Sequence, residues 1–244
     1  MKTFRILLVF FIALPVLLSA QDGGESDLLI GISPGMAMRW QQGTMRTTDG
    51  YYDCCSFTGG SGIGFSAGFN VLIPLGSAVY LRGGLGWEGV VSDYTAERKS
   101  YPILGQGNTV EYADLQNDLS VSMSAVRVDA GLAYMVIEPG LFISVGPCVT
   151  VPMSPSWKQT EQMTGPEGLL YLDGSRRKVL IDVDIPGTQP FVSLRFGAGA
   201  LIPVSSTVHI MPEMVFAVPL MEIQPDYRWS MSGLDLSLGL MFGL

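Results

Sequence analysis

The chain is poor in the residues from which most enzyme and metal sites are built. Histidine occurs once, at His209, and cysteine three times, at Cys54, Cys55 and Cys148. One imidazole excludes a multi-histidine metal centre. Adjacent cysteines seldom bond to each other without strain, and Cys148 falls inside an expected strand far from the other two. The reading is therefore a loop pair at Cys54-Cys55 and no disulfide framework. No nucleophile elbow is expected, and no enzyme; no cofactor is implied. Arg176-Arg177-Lys178 is the longest basic run, in a chain of formal charge −8. An acidic balance of that size argues against nucleic acid as a partner.

Long apolar runs are also missing beyond the first residues. Lys2 and Arg5 precede the apolar stretch Ile6 to Leu18, and Leu18-Ser19-Ala20 follows. This is the layout of a secretory signal peptide, so residues 1–20 are expected to be removed. The remaining 21–244 then form one domain, and losing Lys2 and Arg5 takes the formal charge to −10. Nothing in that domain has the roughly 20 apolar residues of a transmembrane helix.

What is present is alternation. In Leu234-Asp235-Leu236-Ser237-Leu238-Gly239-Leu240-Met241-Phe242-Gly243-Leu244, large apolar residues take the even positions and, Met241 excepted, small or polar ones the odd. A period of two marks a strand whose faces meet different environments. Eight such segments are expected: 28–40, 63–74, 78–91, 121–137, 141–151, 191–203, 207–218 and 234–244. Most have the length of a tilted membrane strand, about 9–11 residues. Three connections are short: Leu75-Gly76-Ser77, Glu138-Pro139-Gly140 and Val204-Ser205-Ser206. The others, 41–62, 92–120, 152–190 and 219–228, are longer. Short turns on one side and long loops on the other suit an outer-membrane barrel with both termini in the periplasm. The expected fold is thus all-β: an eight-stranded antiparallel up-and-down transmembrane β-barrel. Tyr101 to Leu115, around Gly105-Gln106-Gly107-Asn108, and Leu169 to Ile185, around Asp173-Gly174-Ser175, read as hairpins rising above the bilayer. They could instead add a strand pair, giving ten strands.

Composition decides which face meets lipid. A water-facing surface carries many charges of both signs, yet Lys99, Lys158 and Lys178 all fall outside the eight strands. The polar faces are mostly Gly, Ser and Ala, as in a narrow, crowded lumen. Seven charged residues lie on them: Arg82, Arg127 and Arg195 against Glu88, Asp129, Glu213 and Asp235, with a formal sum of −1. Buried ions need partners, so these seven are expected to form a lumenal network that His209 could join. A structural plug is the favoured reading, with an ion path or a catalytic pair as the alternative. On the apolar faces, Trp40 and Trp87 fall towards the outer ends, and Tyr134 and Phe242 towards the periplasmic ends. These are the positions of interfacial aromatic girdles.

The whole of 21–244 resembles the bacterial outer-membrane β-barrel family, the small OmpA-like and OmpX-like barrels. The glycine-rich strands and Arg127-Val128-Asp129-Ala130-Gly131-Leu132 look like its PorT-like branch. The resemblance implies the outer-membrane bilayer and the outer-membrane insertion machinery as partners, the latter recognising the last strand. That strand departs from the family pattern, with Leu244 last and the aromatic Phe242 two before it. Three roles follow as expectations. One is a surface-interaction barrel whose acidic loops meet an extracellular partner. The second, implied by the PorT-like resemblance, is an accessory role in protein secretion or envelope assembly. The third is a narrow channel for a small solute.

Overall fold

The computed structural model describes residues 28–49, 52–96, 99–104, 110–137, 140–165, 170–171 and 173–244. The expected signal segment, 1–20, lies outside them. Eight strands make a closed wall: β1 (Leu29–Asp49), β2 (Tyr52–Pro74), β3 (Val79–Thr95), β5 (Val110–Met135), β6 (Leu141–Pro152), β9 (Phe191–Ala200), β11 (Val208–Pro219) and β12 (Ser230–Gly243). Each pairs antiparallel with the next in that order. β12 returns to β1, with Leu29 opposite Gly243 and Gln42 opposite Ser230. Closure removes the open edges that a sheet otherwise presents.

Three further strands raise the wall at one end, β4 (Lys99–Leu104), β7 (Ser156–Gly165) and β8 (Arg177–Asp184), and the short β10 (Ile202–Pro203) prolongs β9 at the other end. β7 continues β6 along the same edge of β5, so that Pro152 faces Ala125 and, after a short break, Ser156 faces Ser122. β8 runs beside β7 and leads down towards β9. The closed ring therefore has eight strands, and the ten-stranded alternative is not taken.

Parity explains the wall. On β1, Gly31, Ser33, Ala37, Arg39 and Gln41 point inward and are buried, while Ile32, Met36 and Trp40 face out and are exposed. The same holds around the ring, where Phe65, Leu85, Leu132, Ile143, Phe196, Met214 and Leu238 are among the exposed apolar side chains. Phe65 is 71 % exposed. Such a belt is costly in water at roughly 25 cal/mol per Å² and is at home in hydrocarbon.

The structure corrects three expectations about the wall above the belt. The segment 41–62 is largely not a loop, because β1 and β2 run on as a tall hairpin, with Met45 opposite Phe57. Cys54 and Cys55 accordingly lie within β2. The second arm of the hairpin expected over 169–185 does not fold back on the first, because β8 takes β7 as its partner, with Trp157 opposite Val183; residues 169 and 172 lie outside the described residues. What remains of the expected turn is local: the Tyr171 carbonyl accepts from the Gly174 amide at 2.9 Å. Ser175 donates to Asp173 at 2.9 Å, and its side chain and amide hold that carboxyl below its ordinary range. β4 does pair with β5, Lys99 to Leu115 and Leu104 to Val110, as the first hairpin required. At the opposite end the turns are short, with the Leu75 amide on the Val79 carbonyl and the Val204 amide on the Val208 carbonyl, both at 2.8 Å. Of the third expected turn, Glu138 and Pro139 lie outside the described residues.

Candidate functional site

The inward side chains fill the lumen in three layers. Nearest the short turns, Leu29, Leu72, Ala133, Met135, Phe142, Leu201, Met211 and Met241 pack as one apolar cluster. Met241, the odd member of the alternation in the last strand, has its place here and is fully buried. Towards the tall hairpins a second apolar cluster is built on Met45, Phe57, Tyr94, Leu119, Val121, Met123, Trp157, Phe191, Ile223 and Trp229. Between the two lies a continuous network of charges.

Asp235 on β12 is its hub. Its carboxylate lies 2.6 Å from Arg39, 2.9 Å from Arg127 and 2.8 Å from Arg195. Glu88 on β3 pairs with Arg39 and, at 3.3 Å, with Arg127. Arg195 reaches on to Asp129 at 3.1 Å, and Asp129 lies 3.9 Å from Arg82. Arg82 ends the chain by pairing with both Glu213 oxygens, the Nη2 bond measuring 2.7 Å. None of these side chains is more than 13 % exposed. Neighbouring polar groups complete the shell: Arg82 Nη1 donates to Ser144 at 3.3 Å, and Asn70 Nδ2 to Ser33 at 2.6 Å.

Sequence reasoning missed Arg39, although its parity gives it away: it shares the inward face with Gly31, Ser33 and Ala37. With it, four arginines face four carboxylates, and the −1 sum becomes zero. Neutrality matters here because an unpaired ion in such a place costs several kcal/mol. His209 is the opposite correction. It points inward four residues nearer the short turns than Glu213, yet among the described residues it forms no ion pair and its buried Nδ1 has no hydrogen-bond partner. The apolar cap surrounds that level, so carboxylates lie deeper than the imidazole.

Small residues make the network possible. A Cβ on Gly233 would lie 2.3 Å from Arg39 Nη1, and one on Gly84 2.6 Å from Asp129 Oδ2. The glycines of the polar face therefore occupy the space next to long side chains. Three cavities along the network measure 10–20 Å³ each, about the room one water needs. Above it, Gln41 ties β1 to β3 and to Trp229, just ahead of β12. Its Oε1 accepts from Tyr94 Oη at 2.5 Å and from Trp229 Nε1 at 3.0 Å, and its Nε2 donates to Ser92 at 2.7 Å.

Two other sequence features are placed by the wall. Gly64-Phe65-Ser66-Ala67-Gly68 has the Gly-x-Ser-x-Gly spacing of a nucleophile elbow, contrary to the expectation that none exists. It runs straight through the middle of β2, whereas an elbow needs a strand-to-helix turn. Cys148 is inward, buried and a free thiol. Of the aromatics, Trp40 stands at the outer face with Phe216 beside it, ring centroids 6.4 Å apart. Trp87, Tyr134 and Phe242 are likewise half exposed on the apolar side.

No protein-family model matches the sequence, and no curated protein matches it. Solved structures do. The chain is similar to Ail, the attachment invasion locus protein of Yersinia pestis, at 12% identity and TM-score 0.33, covering 89% of this chain and 100% of that one. Neisserial surface protein A shares 11% identity at TM-score 0.39, with 91% and 100% covered. The outer-membrane protease OmpT from Escherichia coli shares 10% at TM-score 0.34, with 92% and 99% covered. Identities this low transfer no ligand, activity or partner. Among the described residues no helix is long and apolar enough to cross a membrane, a statement that does not bear on strands. Lipid is the solvent that suits the belt, and the chain is an integral barrel with the fold of the bacterial outer-membrane β-barrel proteins.

Proposed function

We propose that this barrel is a sealed, non-enzymatic surface protein: an anchor in the outer membrane that holds tall acidic hairpins outside the cell. The observation that carries this reading is the three-layered lumen. A solute path would have to cross two apolar layers and a neutral ion-pair layer whose cavities are 10–20 Å³. The charges are spent on one another, so the network acts as a plug that fixes strand register. Trp40, Trp87, Tyr134 and Phe242 serve as interfacial anchors in this reading. The outward leucines of β12 offer the last strand to the insertion machinery.

The hairpins are where a partner would be met. Shortening the β4–β5 hairpin within 101–113 should leave the unboiled barrel's shifted gel mobility intact and abolish binding to host or envelope proteins. Potassium efflux from liposomes should stay at background in both forms. Loss of exported proteins on deletion of the chain, with surface binding unchanged by the shortened hairpin, would replace this reading with an accessory role in secretion.

A further inference from the structure

Outside the lumen, the outward face above the belt holds a hollow of about 580 Å³. Two rows of cross-strand neighbours build it. Asp93, Ser120 and Lys158 stand in register on β3, β5 and β7, and Thr95, Asp118, Thr160 and Val179 form the next row, reaching β8. Arg177 closes the far side. The charges are segregated. The β3–β5 wall carries the two carboxylates, Asp93 and Asp118, and the β7–β8 wall carries the two cations, Lys158 and Arg177. Lys158 also contacts Asp182 at 3.5 Å on the rim.

Position narrows the ligand. Val91, 52 % exposed, is the last apolar residue on the outward face of β3, and Asp93 follows it about 6–7 Å further along the strand. Met153, at the top of β6, is also exposed. The hollow therefore opens directly above the lipid-facing belt, at the depth of the headgroups. A group filling it should carry an anion for one wall and a cation for the other. Among membrane amphiphiles, a phosphate linked to an ammonium has that pattern.

We propose that this hollow docks the zwitterionic headgroup of a membrane lipid, its phosphate on the Lys158–Arg177 wall and its ammonium on the Asp93–Asp118 wall, with the acyl chains continuing down the belt. The inference rests on the membrane reading. The test uses the full folded chain in a detergent that lacks phosphate. Calorimetric titration compares dihexanoyl phosphatidylethanolamine, dihexanoyl phosphatidylglycerol and free phosphoethanolamine. The ethanolamine lipid should bind saturably and more tightly than the other two. Asp118→Asn and Arg177→Gln should each weaken it by roughly tenfold or more, the worth of one charge-assisted hydrogen bond. Both substitutions are on the surface, and an unchanged shift in gel mobility shows that the barrel is intact. Equal binding of the two lipids, indifference to both substitutions, or free phosphoethanolamine binding as well as the lipid would overturn the proposal. Any of these in a barrel that keeps its mobility shift leaves the membrane reading standing, whereas loss of the shift in the unmodified chain would undo that reading itself.

Discussion

Asp235 and Asp182 are both aspartates on strands of one wall, and both face a cation. Asp235 lies in the lumen among three arginines with its side chain 4 % exposed. Asp182 lies on the raised rim beside Lys158 at 3.5 Å, the two side chains 62 % and 53 % exposed. Water can replace Lys158 as a partner for Asp182. Nothing can replace the arginines around Asp235 without opening the barrel. The same chemistry is thus a fixed part of the fold in one place and an adjustable surface in the other.

The contrast can be broken at its strongest point. Asp235→Ala leaves Arg39, Arg127 and Arg195 without their shared carboxylate. Loss of one partner from a buried ion pair costs about 3–5 kcal/mol, so urea unfolding of the barrel in lipid should shift by that order. Removing charge of both signs should be gentler: Arg39→Met with Glu88→Gln is expected to cost less than the two single changes summed, as a double-mutant cycle will report. Gly84→Ala tests crowding rather than charge. Its new Cβ would meet Asp129 at 2.6 Å, and overpacking of this kind costs about 1–3 kcal/mol. At the weak end, Lys158→Ala should change unfolding by no more than about 1 kcal/mol, the range of exposed ion pairs. A loss there as large as that of Asp235→Ala would erase the distinction.

The sequence was most legible where lipid lies on one side of the wall. There each outward position has to be apolar and each inward one small or polar, so the period of two is strong and all eight strands could be read. Above the belt both faces meet polar surroundings or each other. β7 reads Ser-Trp-Lys-Gln-Thr-Glu-Gln, with no outward apolar residue to mark it, and β8 beside it shifts parity at Leu180, the extra residue between Val179 and Ile181. The upper halves of β1 and β2 were invisible for the same reason. In the lumen, parity gave the seven charges and was open for Arg39 as well, on the inward face of β1 two residues after Ala37, where it was passed over. The reach of its side chain to both Glu88 and Asp235 depends on strand stagger, which no single strand encodes. His209 shows the reverse limit: inward parity places a residue in the lumen without fixing which layer it joins.

The claim at the centre is that the lumen is sealed by a neutral ion-pair layer between two apolar caps. The most direct measurement is the conductance of single refolded barrels in a planar bilayer at moderate voltage and in concentrated potassium chloride. A quiet membrane is expected, with no reproducible unitary step in barrels whose gel mobility proves them folded. Stable steps of one size, altered in amplitude or selectivity by Asp235→Ala, would show that ions pass through the network, and the plug would have to be given up for a pore.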